Sequence, residues 1–483
     1  MIKILIAASE IDPFAKTGGL ADAMRSLPPA LRRQGVEVAL VMPKYRQIQA
    51  ECEDLGEIQV PIEDTSMTGR LARTELPGDK VPVYLIDQEK LFHRNELYTE
   101  KGKDYPDNLE RFTFFCRGVM EIIARNYFRP DVLHAHDWQA ALLPIYIKTV
   151  YADHPVIGRI KSVFTIHNMA YQGVFPPFLY PVTGIGWEHF HVEALEFYNQ
   201  LNLMKGAIVF ADAVTTVSPT YAREIQTREY GCGLEGVLLK HQKKVTGVLN
   251  GVDYRVWSPE VDTEIAARYS MDTLEEGKKA NQTALRKEFG LREPPVRAPL
   301  FGVISRLAHQ KGLDLLAAVL PSLIRRGAQV VILGKGEPQL EETYRTLQKQ
   351  FPESCGVTIA FDNRLAHQIE AGADIFLMPS LYEPCGMNQM YSLRYGTVPV
   401  VRATGGLVDT VTDVDEAGDG TGFVFEEPTP AALLEACERA IARFEDREAW
   451  LALARRGMRM DFSWDRSAQE YQRIYQSLMR MRG

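Results

Sequence analysis

The sequence has little cysteine and no pattern that would use it. Six cysteines are spread over 483 residues, and no two of them form a C-x-x-C pair. A disulfide framework is therefore not expected, and a reduced, cytoplasmic protein is the simplest interpretation. The chain also lacks an apolar run long enough to span a bilayer and enters a predicted strand directly after Met1. Neither a membrane span nor a signal peptide is expected.

Basic segments, repeats and low-complexity tracts are absent as well. The chain carries 55 Lys and Arg against 63 Asp and Glu, a formal net charge of -8. This balance argues against non-specific affinity for nucleic acid or for anionic membranes. A hydrophobic fraction of 46% and a charged fraction of 24% are typical of a globular protein. A chain of this length is expected to form two or three domains.

Short apolar segments alternate with helical segments over most of the chain. The first series has predicted strands at residues 2–8, 36–42, 81–86, 132–135, 162–166 and 213–217, and predicted helices at 21–34 and 109–126. A charged helix is predicted at 264–289, and strands resume at 300–304, 329–333, 357–360, 375–378 and 398–401. Residues beyond Pro430 read as helical. This alternation is typical of an α/β fold with doubly wound parallel sheets, here as two Rossmann-like halves with a linker near residues 243–250.

The first strand leads into a glycine-containing loop and then into a helix, which is the layout of a phosphate site. The stretch is ILIAASEIDPFAKTGGLADAMRSL, residues 4–27. It has neither the G-x-G-x-x-G pattern of a dinucleotide site nor the G-x-x-x-x-G-K-[ST] pattern of a P-loop. Lys16 instead precedes Gly18 and Gly19, so the motif predicts an anion of another kind.

Polar residues follow several predicted strands at the point where each strand ends. They are His134, His136 and Asp137; His167 and Asn168; Arg306 and Lys311; and Glu383 and Gly386. Each could by itself be a helix cap or a buried polar group. Together they lie at the carboxyl ends of strands, where α/β sheets bind their ligands. The pattern therefore predicts a ligand site in both halves.

The second half carries the clearer signal for a diphosphate. Arg306 offers a planar fork to phosphate oxygens, and Lys311 offers a compact charge. A helix that begins at Gly386–Asn388 would direct its first backbone N–H groups toward a bound anion. Glu383 precedes this predicted anion site, and its carboxylate would be repelled by phosphate. A role for Glu383 in binding the rest of the ligand is therefore favoured.

No metal site is expected from the acidic or histidine-rich segments. Residues 413–420 resemble a calcium loop, but Ala417 and Val424 stand where the pattern needs an oxygen ligand and a glutamate. His134, His136 and Asp137 are not expected to converge on one ion, since successive residues of a strand alternate between the faces of a sheet.

Seven motifs, in this order, resemble the bacterial glycogen synthase family over essentially the whole chain. They are KTGGLADA, HAHDWQ, TIHNMAYQG, LNGVDYRVWSP, SRLAHQKGLD, SLYEPCGMNQMYSLRYGTVPVV and RATGGLVDTV. The resemblance implies a GT-B glycosyltransferase, an α/β protein with two Rossmann-like domains facing across a cleft and a last helix that crosses back to the amino-terminal domain. The implied domains are residues 1–243, 244–460 and 461–483. The implied reaction is retaining transfer of glucose from ADP-glucose to the non-reducing end of an α-1,4-glucan such as glycogen, with no metal and no cofactor.

The resemblance also implies roles for single residues. Lys16, with a tight turn at Gly18 and Gly19, and the pair Arg306 and Lys311 match the residues that hold the donor diphosphate. Glu383 matches the essential carboxylate that orients the sugar, and His167 matches a histidine of the donor glucose pocket. Further matching substrate positions are Asp22, Asp137, Asn168, Asn250, Cys385, Gly386, Met387 and Asn388.

Two positions depart from wider relatives of this fold. Phe361, near the implied adenine site, stands where many have tyrosine, which keeps ring stacking but loses a hydroxyl. Met390 stands where many carry a second glutamate, which the synthase branch also generally lacks.

Three other readings remain open from the sequence. A nucleotide-sugar-binding regulator without activity is disfavoured by the complete set of candidate residues. A pyridine-nucleotide dehydrogenase is disfavoured by the missing glycine fingerprint. A sister transferase that makes starch, sucrose or another glucoside is the nearest alternative, and the choice between ADP- and UDP-glucose and the oligomeric state also stay open.

Overall fold

The computed structural model describes residues 1–63, 65–416 and 418–480. The chain forms two compact units. The first contains Met1–Gly251 and the carboxyl-terminal residues from Trp464 onward, and the second contains Val252–Ser463.

The first unit is built on a large sheet whose strands are almost continuously buried, as expected when helices cover both faces. The strands of the whole first unit, inside and outside this sheet, are β1 (Lys3–Ala7), β2 (Glu37–Pro43), β3 (Glu53–Ile62), β4 (Thr65–Glu75), β5 (Pro82–Asp87), β6 (Thr99–Glu100), β7 (Lys103–Asp104), β8 (Val132–His136), β9 (Lys161–Ile166), β10 (Val174–Phe175), β11 (Glu196–Phe197), β12 (Gln200–Asn202), β13 (Ala213–Thr216) and β14 (Val245–Gly247). In the described residues the large sheet has the order β14-β13-β9-β8-β1-β2-β5-β4-β3. All neighbours from β14 to β5 are parallel, and β4 and β3 extend the sheet antiparallel.

Helices connect these strands and cover the sheet. They are α1 (Gly19–Arg33), α2 (Glu89–Phe92), α3 (Asn108–Ala124), α4 (Leu142–Lys148), α5 (Leu203–Phe210), α6 (Pro219–Glu224) and α7 (Glu235–Lys240). The order of the parallel strands reverses between β1 and β8, so the loops that follow these two strands lie at the switch point of the sheet.

The second unit has a wholly parallel sheet. Its strands are β15 (Leu300–Ile304), β16 (Gln329–Leu333), β17 (Cys355–Thr358), β18 (Ile375–Met378), β19 (Val398–Arg402) and β20 (Phe423–Phe425), in the order β17-β16-β15-β18-β19-β20. This is the Rossmann order, with its switch point between β15 and β18. Its helices are α8 (Leu274–Glu288), α9 (Leu313–Arg325), α10 (Pro338–Gln350), α11 (Asn363–Gly372), α12 (Asn388–Arg394), α13 (Gly405–Thr410), α14 (Pro430–Glu445) and α15 (Arg447–Arg459).

The last helix, α16 (Trp464–Arg480), packs on the first unit. Tyr471 and Tyr475 on this helix are 2% and 0% exposed. Asp465 accepts a hydrogen bond from Nε of Arg33 at 2.9 Å, and Gln472 donates to the carbonyl oxygen of Gln34 at 2.8 Å. The doubly wound sheets and the return of this helix confirm the predicted fold class.

The structure differs from the local predictions at four places. The predicted charged helix starts at Leu274 rather than ten residues earlier, because residues around Tyr269 form turns that bury this side chain at 3% exposure. The β3–β4 hairpin was not predicted, since its alternating charged residues do not form an apolar run. Strand β14 lies within the predicted linker, and β17 begins two residues earlier than predicted. Within the described residues, no helix combines the length and apolarity that crossing a membrane requires.

Candidate active site

The loops after β15 and β18 meet at the switch point of the second unit. Gly312 follows the first loop with a φ of 65°, and a Cβ atom built on it would lie 1.9 Å from the carbonyl oxygen of Pro379 in the second loop. The two loops therefore contact each other backbone to backbone, and only glycine fits at this position. This contact brings residues 305–311 and 379–388 together.

Lys311 and Glu383 form an ion pair across these loops. Nζ of Lys311 lies 2.6 Å from Oε2 of Glu383, and the hydroxyl of Ser380 donates to the same oxygen at 3.0 Å. The Glu383 side chain is 7% exposed and that of Lys311 is 22% exposed. Arg306 is exposed nearby and donates to Oε1 of Gln310 at 2.9 Å. A buried carboxylate thus pairs with a lysine at the predicted ligand edge, and the exposed Arg306 lies on the same loop as that lysine.

Glycines hold the turn that follows Glu383. Gly386 has a φ of 70°, and helix α12 starts two residues later at Asn388, whose side chain donates to the carbonyl oxygen of Ile304 at 2.7 Å. A Cβ atom on Gly405 would lie 1.9 Å from the carbonyl oxygen of Glu383, and one on Gly406 would lie 2.1 Å from that of Cys385. Sequence reasoning missed the role of this glycine pair, although it belongs to the quoted RATGGLVDTV motif.

Glu10 organises the corresponding loop of the first unit. Its carboxylate accepts hydrogen bonds from the backbone N–H of Thr17 at 2.5 Å, the Thr17 hydroxyl at 2.6 Å, the backbone N–H of Gly18 at 3.2 Å and the hydroxyl of Tyr98 at 2.7 Å. Glu10 is 4% exposed. Sequence reasoning missed it, and the signal was a carboxylate standing between a buried strand and a glycine loop.

The expected tight turn at Gly18 and Gly19 is wrong. Gly18 is extended, with φ of -158° and ψ of -166°, and Gly19 is already the first residue of α1. The turn is replaced by the Glu10 bridge, which ties Thr17 and Gly18 to the end of β1. Cβ atoms built on either glycine would meet no atom within 4 Å, so the backbone is open to close approach. Lys16 lies two residues before Gly18 and pairs with Oδ1 of Asp22 at 2.5 Å.

Asp137 and His167 lie together at the ends of β8 and β9. Asp137 has a φ of 56°, and its Oδ1 accepts from the backbone N–H of His167 at 2.7 Å. Burial raises the pKa of Asp137 to about 7, although hydrogen bonds from the backbone N–H groups of His167 and Asn168 oppose this shift. Burial lowers the pKa of His167 to about 3, so its imidazole is neutral at physiological pH.

His134 and His136 share one face of β8. Their ring centroids are 4.1 Å apart, so the expectation that strand alternation separates these histidines is wrong, because residues two apart face the same side. His134 contacts the Tyr475 hydroxyl at 2.8 Å and the Thr165 hydroxyl at 2.6 Å, and His136 contacts His167 at 2.9 Å. In the described part of the chain, no three His, Cys, Asp or Glu side chains are grouped so as to hold a metal ion.

The remaining candidate residues lie at the ends of strands or beside the loops described above. Asn168 accepts from the backbone N–H of Ala170 at 3.0 Å, and Asn250 is 7% exposed shortly after β14. Phe361 follows β17 and is 83% exposed, whereas Cys385 is 5% exposed and Met390 is fully buried. Met387 is the residue directly before α12.

Each unit is thus a doubly wound α/β domain with charged groups at the carboxyl ends of its central strands, where sheets of this kind bind their ligands. Two family models match the chain. The model described as starch synthase catalytic domain matches residues 3–240, and the model described as glycosyl transferases group 1 matches residues 286–456. The chain is a glycosyltransferase.

Curated relatives narrow this class to one family. The chain is 46% identical to a glycogen synthase of Anaeromyxobacter dehalogenans over 99% of this chain and 100% of that protein. It is 47% identical to glycogen synthases of Koribacter versatilis and Geobacter sulfurreducens over 98–99% of both chains. The chain belongs to the glycogen synthase family.

Two solved structures have the same fold over the whole chain. The catalytic domain of starch synthase IV from Arabidopsis thaliana, solved with ADP and acarbose bound, has a TM-score of 0.91 and 33% identity over 99% of both chains. A sucrose-phosphate synthase from Thermosynechococcus elongatus has a TM-score of 0.63 at 16% identity over 100% of both chains, a likeness of fold alone.

Proposed function

We propose that this enzyme transfers glucose from ADP-glucose to the non-reducing end of an α-1,4-glucan, with retention of configuration and release of ADP, in glycogen biosynthesis. The observation that carries the proposal is the buried Glu383 carboxylate paired with Lys311 at the switch point of the second unit. A carboxylate suits a sugar ring that gains positive charge, and the lysine suits a diphosphate that gains negative charge. Membership of the glycogen synthase family supports the same reaction.

In the second unit, we assign donor binding to the residues around this ion pair. Arg306 and Lys311 bind the diphosphate, and the turn Gly386–Met387–Asn388 offers backbone N–H groups that a helix start leaves without intrahelical partners. Cys385 lies against the same turn. Phe361 is exposed two residues before the start of α11, so its ring is available to stack on adenine.

In the first unit, Lys16 binds the diphosphate, with Asp22 holding its ammonium group in place. The open backbone at Gly18 and Gly19 allows close approach of the donor. His167 contacts the transferred glucose, and Asp137 positions it through the backbone N–H of His167. Asn168 and Asn250 are further substrate positions, and this unit also binds the glucan acceptor.

The charges of these residues favour departure of ADP. Breaking the bond between glucose and phosphate places negative charge on ADP, which Lys16, Arg306 and Lys311 stabilise as it forms. Retaining glycosidases use two carboxylates about 5–5.5 Å apart. Here Met390 replaces the second carboxylate of wider relatives. Direct attack by the acceptor hydroxyl on the face that ADP leaves, with the departing phosphate taking its proton, accounts for retention with one carboxylate.

The bound ADP of the Arabidopsis starch synthase IV structure supports an adenine nucleotide as the donor. The test is transfer of radiolabelled glucose from ADP-glucose and from UDP-glucose to glycogen and to maltooligosaccharides, followed by β-amylase digestion from the non-reducing end. We expect faster transfer from ADP-glucose and label released as maltose. Label in sucrose or another small glucoside, or no transfer from either donor, would overturn the proposal.

A further inference from the structure

His136 lies between two other imidazoles in the first unit. Its ring centroid is 4.1 Å from that of His134 and 5.2 Å from that of His167, and its Nδ1 is 2.9 Å from Nε2 of His167. His136 is 1% exposed, and its Nε2 has no hydrogen-bond partner among the described residues. Within the part of the chain that the structure describes, this side chain therefore has one polar contact, and that contact is with the candidate glucose-binding histidine.

Hydrogen counting limits the possible forms of this contact. Burial lowers the pKa of His167 to about 3 and holds the pKa of His136 well below its usual range, so each ring carries one hydrogen at neutral pH. One nitrogen of the contact must donate and the other must accept. Either His136 donates from Nδ1, or His167 donates from Nε2.

The two arrangements differ in what they leave buried. If His167 donated, the hydrogen of His136 would sit on Nε2, where no described residue accepts it. If His136 donates, its Nε2 is left as a bare acceptor. Buried N–H groups without an acceptor are the rarer case in proteins, and leaving one unpaired costs about 1–3 kcal/mol. The contact therefore favours His136 as the donor.

We propose that His136 is a positioning residue that donates its Nδ1 hydrogen to Nε2 of His167 and thereby fixes the His167 hydrogen on Nδ1. His167 is partly exposed, and its Nδ1 makes no hydrogen bond within the described part of the chain. The fixed hydrogen gives the substrate a donor, which suits a hydroxyl oxygen of the transferred glucose. This last step rests on the proposed function.

The surroundings of His136 hold its ring in place. The His134 ring lies against it, tilted by 33°, and is itself held by the hydroxyls of Tyr475 and Thr165. The remaining titratable groups nearby are Asp137, directly beyond His136 in the chain, and Glu10, which acts electrostatically on Asp137. None of these groups takes a hydrogen bond from His136 Nε2.

The first test reads the hydrogen position directly and needs no substrate. Protein labelled with ¹⁵N in its histidine rings is studied at pH 8 by long-range ¹H–¹⁵N correlation, with the His167 signals assigned from their loss in His167→Asn. His367 supplies a reference signal for a hydrogen-bearing Nδ1, because its Nδ1 lies 2.7 Å from an oxygen of Asp262. We expect His167 to show the Nδ1–H pattern, with a hydrogen on Nδ1 and none on Nε2. The Nε2–H pattern would overturn the proposal.

The second test separates positioning from general structure. In His136→Leu we expect kcat/KM for ADP-glucose to fall about tenfold, as for one lost hydrogen bond, with the Kd for ADP unchanged because ADP lacks the glucose. His136→Asn keeps an amide N–H near the Nδ1 position and should restore most of the loss and the His167 spectrum. His241→Asn, on a partly exposed histidine after α7, is the matched control.

Wild-type kcat/KM and an unchanged His167 spectrum in His136→Leu would overturn the positioning role. If His136→Leu does not fold, the positioning role is tested by the His167 spectrum of the wild type and by the kinetics of His136→Asn. A wild-type enzyme that shows the Nδ1–H pattern but transfers no glucose would contradict the proposed function and not the hydrogen assignment.

Discussion

Lys311 donates a hydrogen bond from Nζ to Oε2 of Glu383 at 2.6 Å, although the two residues are 72 positions apart in the chain. The lysine compensates a carboxylate that is 7% exposed and would otherwise be costly to bury. Its positive charge also offsets the repulsion that this carboxylate would otherwise exert on a diphosphate bound next to it. We infer that the two residues work as a unit, with the lysine facing phosphate and the carboxylate facing the sugar.

Replacement of Glu383 should slow the reaction far more than it weakens ADP binding. In Glu383→Ala we expect kcat to fall by several orders of magnitude and the Kd for ADP to change little, because the carboxylate acts on the sugar. Steady-state kinetics and ADP titration calorimetry measure the two effects. Glu353→Ala removes an exposed glutamate of the same unit and should have normal kinetics. A folded Glu383→Ala protein with normal turnover would refute the role.

Replacement of Lys16 should mainly weaken use of the donor. Lys16→Ala removes a charge-assisted contact worth about 1.5–3 kcal/mol, which corresponds to a roughly 10- to 100-fold loss in kcat/KM for ADP-glucose. The KM for glycogen should not change. Lys3→Ala is the matched control, because Lys3 also pairs with one carboxylate on the surface of the same unit, at 3.1 Å from Glu37. Loss of glycogen affinity with intact donor kinetics would contradict the diphosphate assignment.

The fold was predictable from the sequence where burial dictates the pattern. Strands such as β1, β2 and β15 are buried on both faces, so they appear as apolar runs between helices. The β3–β4 hairpin escaped prediction because it is exposed on one face and its residues alternate in polarity. The start of α8 was predicted too early, because residues 264–273 have the composition of a helix. In the structure they are held in turns by contacts such as the hydrogen bond from the Tyr269 hydroxyl to the carbonyl oxygen of Tyr395.

The charged residues of the candidate site could be predicted from their types and their positions at strand ends. The residues that hold the loops of the site in place could not. Lys311 and Glu383 carry visible charge, and the resemblance to a family directed attention to them. Glu10 holds its loop by accepting hydrogen bonds from backbone N–H groups. Gly405 has no side chain, which lets its backbone pack against the carbonyl oxygen of Glu383. Such contacts depend on backbone positions that only the folded chain brings together.

Cys385 should react slowly with alkylating reagents, and ADP should slow the reaction further. Its side chain is 5% exposed and lies against the turn assigned to the diphosphate, so alkylation is expected to block the donor. In a Cys232→Ser background, which removes the exposed cysteine, we expect iodoacetamide to inactivate the enzyme and saturating ADP to protect it several-fold. Cys385→Ser should resist inactivation. Equal rates of inactivation with and without ADP would remove Cys385 from the donor site.

The carboxyl group of Asp137 should make the first unit less stable as the pH rises toward neutral. Burial raises its pKa to about 7 in the folded protein, against about 3.9 for an unfolded chain. Between these values the folded state keeps a proton that the unfolded state releases, so the free energy of unfolding falls as pH rises and levels off above pH 7. From pH 5 to pH 8 the loss amounts to about 2–3 kcal/mol, at about 1.4 kcal/mol per pH unit within the window.

Asp137→Asn removes this titration and keeps a side-chain oxygen for the backbone N–H of His167. Urea unfolding of the two proteins from pH 5 to pH 8 should therefore show the wild type losing stability relative to the variant as the pH rises. Asp153→Asn, at an exposed position of the same unit, should follow the wild-type curve. Parallel stability curves for the wild type and Asp137→Asn would mean that the Asp137 carboxyl group is ionised in the folded protein throughout this range. In that case the hydrogen bonds from the backbone N–H groups of His167 and Asn168 outweigh its burial.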